Sequence, residues 1–143
     1  MILDKQNEFC DQQAVTATAV STNAFDLGSV RHLGDGDPLV IHILVEEAAT
    51  AAGAATVDFQ VVTDDNASLS SPAVIISSEP IAKATLVIGY EINLPLPPGA
   101  TYERYLGVQF TVATGPLTAG KFTAHLVNVA PKSRAYADGF NIT

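Results

Sequence analysis

Residues Thr56 to Thr63 alternate in a way only a half-buried strand explains. Val57, Phe59 and Val61 fall on one side and Thr56, Asp58 and Gln60 on the other, a period of two. No stretch sustains the i, i+3, i+4, i+7 spacing of an amphipathic helix. Short runs rich in Val, Ile and Thr recur between clusters of Gly, Pro, Asp and Asn, the pattern of an all-β sandwich or barrel. The expected strands are Ala14–Val20, Asn23–Leu27, Leu39–Glu46, Thr56–Thr63, Ala73–Ser78, Thr85–Leu94, Tyr102–Ala113 and Phe122–Val129. Leu39–Glu46 is apolar on both faces apart from His42, so it is expected to be central and covered. In Thr85–Leu94, Leu86, Ile88, Tyr90 and Ile92 are expected on one face. A Gly115-Pro116 turn and Gly120 are expected to bound a final hairpin.

About eight strands suit a jelly-roll type two-sheet antiparallel β-sandwich. An immunoglobulin sandwich usually carries a Trp and a Cys pair; this chain has no Trp and one Cys. With 143 residues it makes a single domain able to bury a core. Residues 13–130 are expected to form the sandwich. Residues 1–12 read as an N-terminal arm and 131–143 as a C-terminal tail, because both are mixed and non-periodic. Their apolar residues, Ile2, Leu3 and Phe9 at one end and Tyr136, Phe140 and Ile142 at the other, have no evident place in the sandwich. They are read as contact residues.

Charge and cysteine content narrow the function. Seven Lys+Arg against fifteen Asp+Glu give a net charge of −8. Nucleic-acid binding needs clustered cations, and so does an anionic membrane surface, so neither partner is expected. Cys10 alone allows no internal disulfide and no cysteine zinc site. The N-terminus lacks the apolar core of a secretory signal, and the longest apolar stretch is too short to span a bilayer.

Candidate chemistry is sparse. His32, His42 and His125 are far apart, without the close spacing of a metal triad, and His42 and His125 read as sheet residues satisfied by neighbours. Asp35-Gly36-Asp37 and Asp64-Asp65-Asn66 lack the ordered spacing of a calcium loop and suit turns. No nucleophile elbow or phosphate loop occurs. No enzyme activity, cofactor or metal is expected. Tyr102, Arg104 and Tyr105 form a cluster of residue types favoured at interface anchors; alternatively, Tyr102 or Tyr105 closes the end of the sandwich.

The stretch from Tyr102 to Ala124, with Arg104, Gly107, Gly115-Pro116 and Gly120, resembles the C-terminal hairpin of tailed-phage capsid cement, or decoration, proteins. So do the opening Met1-Ile-Leu-Asp-Lys, Ala14 to Asn23, Asp26-Leu-Gly, Phe59 to Asn66 and Leu69-Ser-Ser-Pro. The resemblance runs from Met1 to about Val129. It implies a jelly-roll virion protein on the outer capsid surface, made in the host cytoplasm. It implies binding to the major capsid protein and to copies of itself, as a dimer or trimer, without catalysis. The alternative is a carbohydrate- or receptor-binding β-sandwich on the virion, which four Tyr and no Trp support less well.

Overall fold

The computed structural model describes residues 4–32 and 39–128. After a 3-10 turn, η1 (Lys5–Asn7), it contains β1 (Glu8–Ala14), β2 (Ala19–Val20), β3 (Phe25–Asp26), β4 (Arg31–His32), β5 (Val40–Thr50), β6 (Thr56–Asp64), β7 (Ala73–Ser77), β8 (Ile81–Ala82), β9 (Glu91–Pro95), β10 (Thr101–Tyr102), β11 (Tyr105–Ala113) and β12 (Ala119–Val127). The first sheet has the order β1-β12-β5-β9. The second has the order β2-β11-β6-β7, with β3 also on β11 and β8 also on β6; β4 and β10 pair separately. All pairings are antiparallel.

The order is that of a long hairpin rolled over itself. β1 pairs with β12, β2 with β11, β5 with β9 and β6 with β7. Most successive long strands therefore lie in opposite sheets. This is the jelly-roll form of the two-sheet sandwich. It also corrects the expected last hairpin: β11 and β12 are consecutive but belong to different sheets. Thr114 and Gly115, both at positive φ (63° and 98°), turn the chain between them.

The core lies between the sheets. Val57, Phe59 and Val61 from β6 meet Leu106, Val108 and Phe110 from β11, and Ile41, Ile43 and Val45 from β5 oppose them with Phe122 and Ala124 from β12. Phe59, Phe110 and Phe122 join the two layers. Phe59 stands edge-on to both other rings, at 5.8 and 5.1 Å between centroids, while Phe110 and Phe122 stack at 5.5 Å. Such pairs add to what area burial contributes.

The expected arm 1–12 is corrected where it is described. Glu8 to Gln12 belong to β1, and Phe9 and Cys10 are buried in the core. The reason is long-range: the Cys10 thiol lies 3.5 Å from the Phe122 carbonyl oxygen. Register shifts between Glu8 and Cys10 and between Cys10 and Gln13 break the period of two, hiding the strand from pattern reading. Burial pushes the Cys10 thiol up to about 12. Ala14–Val20, expected as one strand, is split. Val15 turns into the core, and residues 15–18 carry the chain from one sheet to the other. Thr18 takes the Val112 N–H on its hydroxyl at 3.0 Å.

Thr85–Leu94 is also corrected, since only Glu91–Pro95 is strand. Leu86 is fully buried but Ile88 is 71% exposed. Turn bonds from Leu86 N to the Lys83 carbonyl and from Tyr90 N to the Val87 carbonyl, with Gly89 at φ +86°, replace the alternation. β5 runs to Thr50, beyond its expected end: Ala119 of β12 sits opposite Thr50, and Lys121 opposite Glu47 pairs with it at 3.0 Å.

Candidate interaction surface

Tyr102, Arg104 and Tyr105 surround the step from β10 to β11, and their roles diverge. Tyr102 is fully buried. Its hydroxyl donates to the Pro97 carbonyl at 3.2 Å, and burial raises its phenol above the ordinary value. It fastens the Pro-rich turn to the sandwich and does not reach solvent as a contact residue. Its place in the core follows from β10, whose inward position falls on Tyr102.

Arg104 is exposed. Its Nε donates to Asp26 Oδ1 at 3.0 Å and its Nη2 to Asp26 Oδ2 at 3.1 Å, a two-pronged pair that fixes the guanidinium plane. The Leu27 N–H donates to the Arg104 carbonyl at 2.7 Å, so the backbone holds the same register. The Arg104 side chain holds the Asp26 carboxyl below the usual carboxylate range, with the Gly28 N–H assisting. The guanidinium carbon also lies 5.2 Å from the centre of the half-buried Tyr105 ring, within cation–π range. The result is a pre-set surface cluster of one carboxylate, one guanidinium and one phenol, with the guanidinium over the phenol ring. Double bonding to Asp26 removes the rotamer freedom that a contact residue otherwise loses on binding.

Beside it, Asp64, Asp65 and Glu103 place carboxylate oxygens within 4.8 Å of one another. Sequence pattern singles out Asp64 and Asp65 but not Glu103. The signal that joins them is the β6–β11 register, in which Tyr105 faces Asp64. The Thr63 hydroxyl donates to the Tyr105 carbonyl at 3.0 Å and accepts the Glu103 N–H at 2.8 Å. Asp64 is the buried member. Its oxygens accept the Ser71 N–H at 2.8 Å and the Asn66 N–H at 3.2 Å, and these donors, Ser71 first, hold its carboxyl below the usual range. It organises the 64–71 loop.

The two sheet histidines are satisfied as expected: His42 Nδ1 lies 2.9 Å from Asn93 Oδ1 and His125 Nε2 lies 3.5 Å from Glu8 Oε2. Phe9 is corrected from contact residue to core residue, 1% exposed. Ile2, Leu3, Tyr136, Phe140 and Ile142, the 131–143 tail and the Asp35–Asp37 cluster lie outside the described residues. Pattern reading misses the exposed apolar side chains Val30, Val74, Val87 and Ile88. Val74 sits on β7 and Val87–Ile88 in the segment leading to β9, which are edge strands of the two sheets.

The profile of one protein family, Bbp16, matches residues 9–126. The chain belongs to the Bbp16 family. No curated protein matches it. The matched span begins at Phe9, the first core residue of β1, and ends at Leu126, one residue before the end of β12. The Bbp16 span therefore coincides with the rolled sandwich, from the first strand to its last partner.

Proposed function

We propose that this Bbp16-family protein is a structural virion component that binds the outer surface of a phage capsid and ties neighbouring major capsid subunits together. The supporting observation is the jelly-roll strand order, built by the residues that carry the resemblance to capsid decoration proteins. Those residues are used as scaffold: Phe59 and Phe110 in the core, Tyr102 bonded to the Pro97 carbonyl, Leu69 packed on Gly107. A fold alone does not carry function, so contact surfaces must supply the binding. The Asp26–Arg104–Tyr105 cluster and the exposed apolar residues on the β7–β9 side supply them. Several copies on one particle make weak contacts simultaneous, which raises avidity, and an acidic protein keeps particles from aggregating.

Co-sedimentation of the purified chain with its own empty capsids tests this. Saturable binding at a fixed ratio to major capsid protein is expected, with Arg104→Ala weakening it while the melting temperature stays close to wild type. Absence of co-sedimentation, with retention on a glycan array instead, overturns the reading in favour of a carbohydrate-binding module.

A further inference from the structure

Glu8, His125, His42 and Asn93 form one row across all four strands of the first sheet. Each is the register partner of the next: Glu8 with His125, His125 with His42, and His42 with Asn93. Their strand neighbours Phe9, Ala124, Ile41, Ile43, Ile92 and Leu94 belong to the core, so the row faces away from it. His42 and His125 are nevertheless only 4% and 5% exposed.

The two ends of the row are anchored. The His42 Nδ1–H donates to Asn93 Oδ1 at 2.9 Å, and His125 Nε2 points at Glu8 Oε2 at 3.5 Å. Each ring thus turns one nitrogen toward a partner on the strand away from the other ring. The other Glu8 oxygen accepts from Lys5 Nζ, so this carboxylate is already shared. The carboxylates acting on His125 are Glu8 and Asp11 from β1, and Lys5 of η1 pairs with Glu8. β9 contributes the neutral Asn93, with exposed Glu91 two residues away.

We propose that this row is an acid-sensitive latch on the first sheet: protonating both rings sets two imidazolium charges at directly opposed positions of β5 and β12 and loosens the pairing at the centre of that sheet. Opposed side chains on antiparallel strands lie about 5 Å apart at Cβ, and like charges there are destabilising. A proton on His125 meets Glu8. His42 faces the neutral amide of Asn93 at 2.9 Å. Burial already holds His125 below the ordinary imidazole value, with His42 acting in the same direction and Glu8 against it. A histidine with a lowered folded-state value binds fewer protons folded than unfolded. Stability is therefore full above the unfolded value and falls as pH drops through it.

The test uses the full chain, with imidazole NMR titration, amide exchange and thermal melting between about pH 7.5 and about pH 5.5, a window above the carboxylate range. The latch predicts a fall in melting temperature of about 4 °C or more, the shift that a roughly fivefold change in the folding equilibrium produces in a chain of this size. It also predicts that amides of β5 and β12 lose protection before those of β6 and β11. The double variant His42→Gln, His125→Gln keeps hydrogen-bonding groups without the charge and should melt at nearly the same temperature across the window. Unchanged melting of the wild type, or an equal fall in the double variant, overturns the proposal. If the double variant does not fold, the wild-type exchange decides: protection lost evenly over both sheets overturns it, and loss confined to β5 and β12 supports it.

Discussion

Leu69 lies directly on Gly107. A Cβ built on Gly107 would come within 2.2 Å of Leu69 Cδ1, and Leu69, itself at φ +50°, is only 3% exposed. The 64–72 loop thus folds over the outer face of the second sheet and seals Val62, which alternation would otherwise leave in water. Gly107→Ala should cost about 1–3 kcal/mol by overpacking, and Leu69→Ala about 2–5 kcal/mol by truncation. Because the two share one contact, the double variant should cost less than the sum. Urea unfolding measures all three, and strict additivity would show that the two residues do not touch.

The three-ring cluster predicts a large effect at its hub. Phe59 contacts both Phe110 and Phe122 edge-on and is fully buried. Phe59→Ala should cost about 3–5 kcal/mol. A loss under about 1 kcal/mol, the range of surface substitutions, would place Phe59 outside the core.

Truncation of residues 1–12 should unfold the protein or leave it molten. It removes most of β1, with Phe9 and Cys10 from the core, and opens the edge of β12. Circular dichroism and near-ultraviolet signal report this. A truncated chain that melts like the full one would show that β1 is dispensable.

Asp64 predicts an acid-dependent loop. Its carboxyl is held low by the Ser71 and Asn66 N–H groups, so this contribution is present above the ordinary value of about 3.9 and fades as pH falls through the lower folded value. Asp64→Asn should be less stable than wild type at neutral pH, and the gap should shrink between about pH 5 and about pH 3. Calcium and a chelator should leave melting unchanged, since a cation bound only to the folded state would raise it. An upward shift of several degrees with calcium, absent in Asp64→Asn, would point to a metal site at Asp64, Asp65 and Glu103.

Sequence alone determines the β class here, because side-chain alternation is a local property. In β6 every second residue from Val57 to Val61 is apolar, and each of those is fully buried. The same holds for Leu106, Val108 and Phe110 in β11. Histidines 42 and 125 were legible as sheet residues for the same reason. Tertiary structure alone decides where alternation fails or where a partner lies far along the chain. Glu8 to Gln12 look like an arm because bulges break their period, and only pairing with β12, more than a hundred residues away, makes them a strand. Leu86 and Ile88 share a parity, yet a glycine at positive φ and two turn bonds send one into the core and the other into water. Tyr102 and Arg104 stand two residues apart in one cluster; the Pro97 carbonyl draws the first inward, and Asp26, 78 residues earlier, holds the second at the surface. Such choices depend on hydrogen-bond partners that only the rolled sandwich brings within reach.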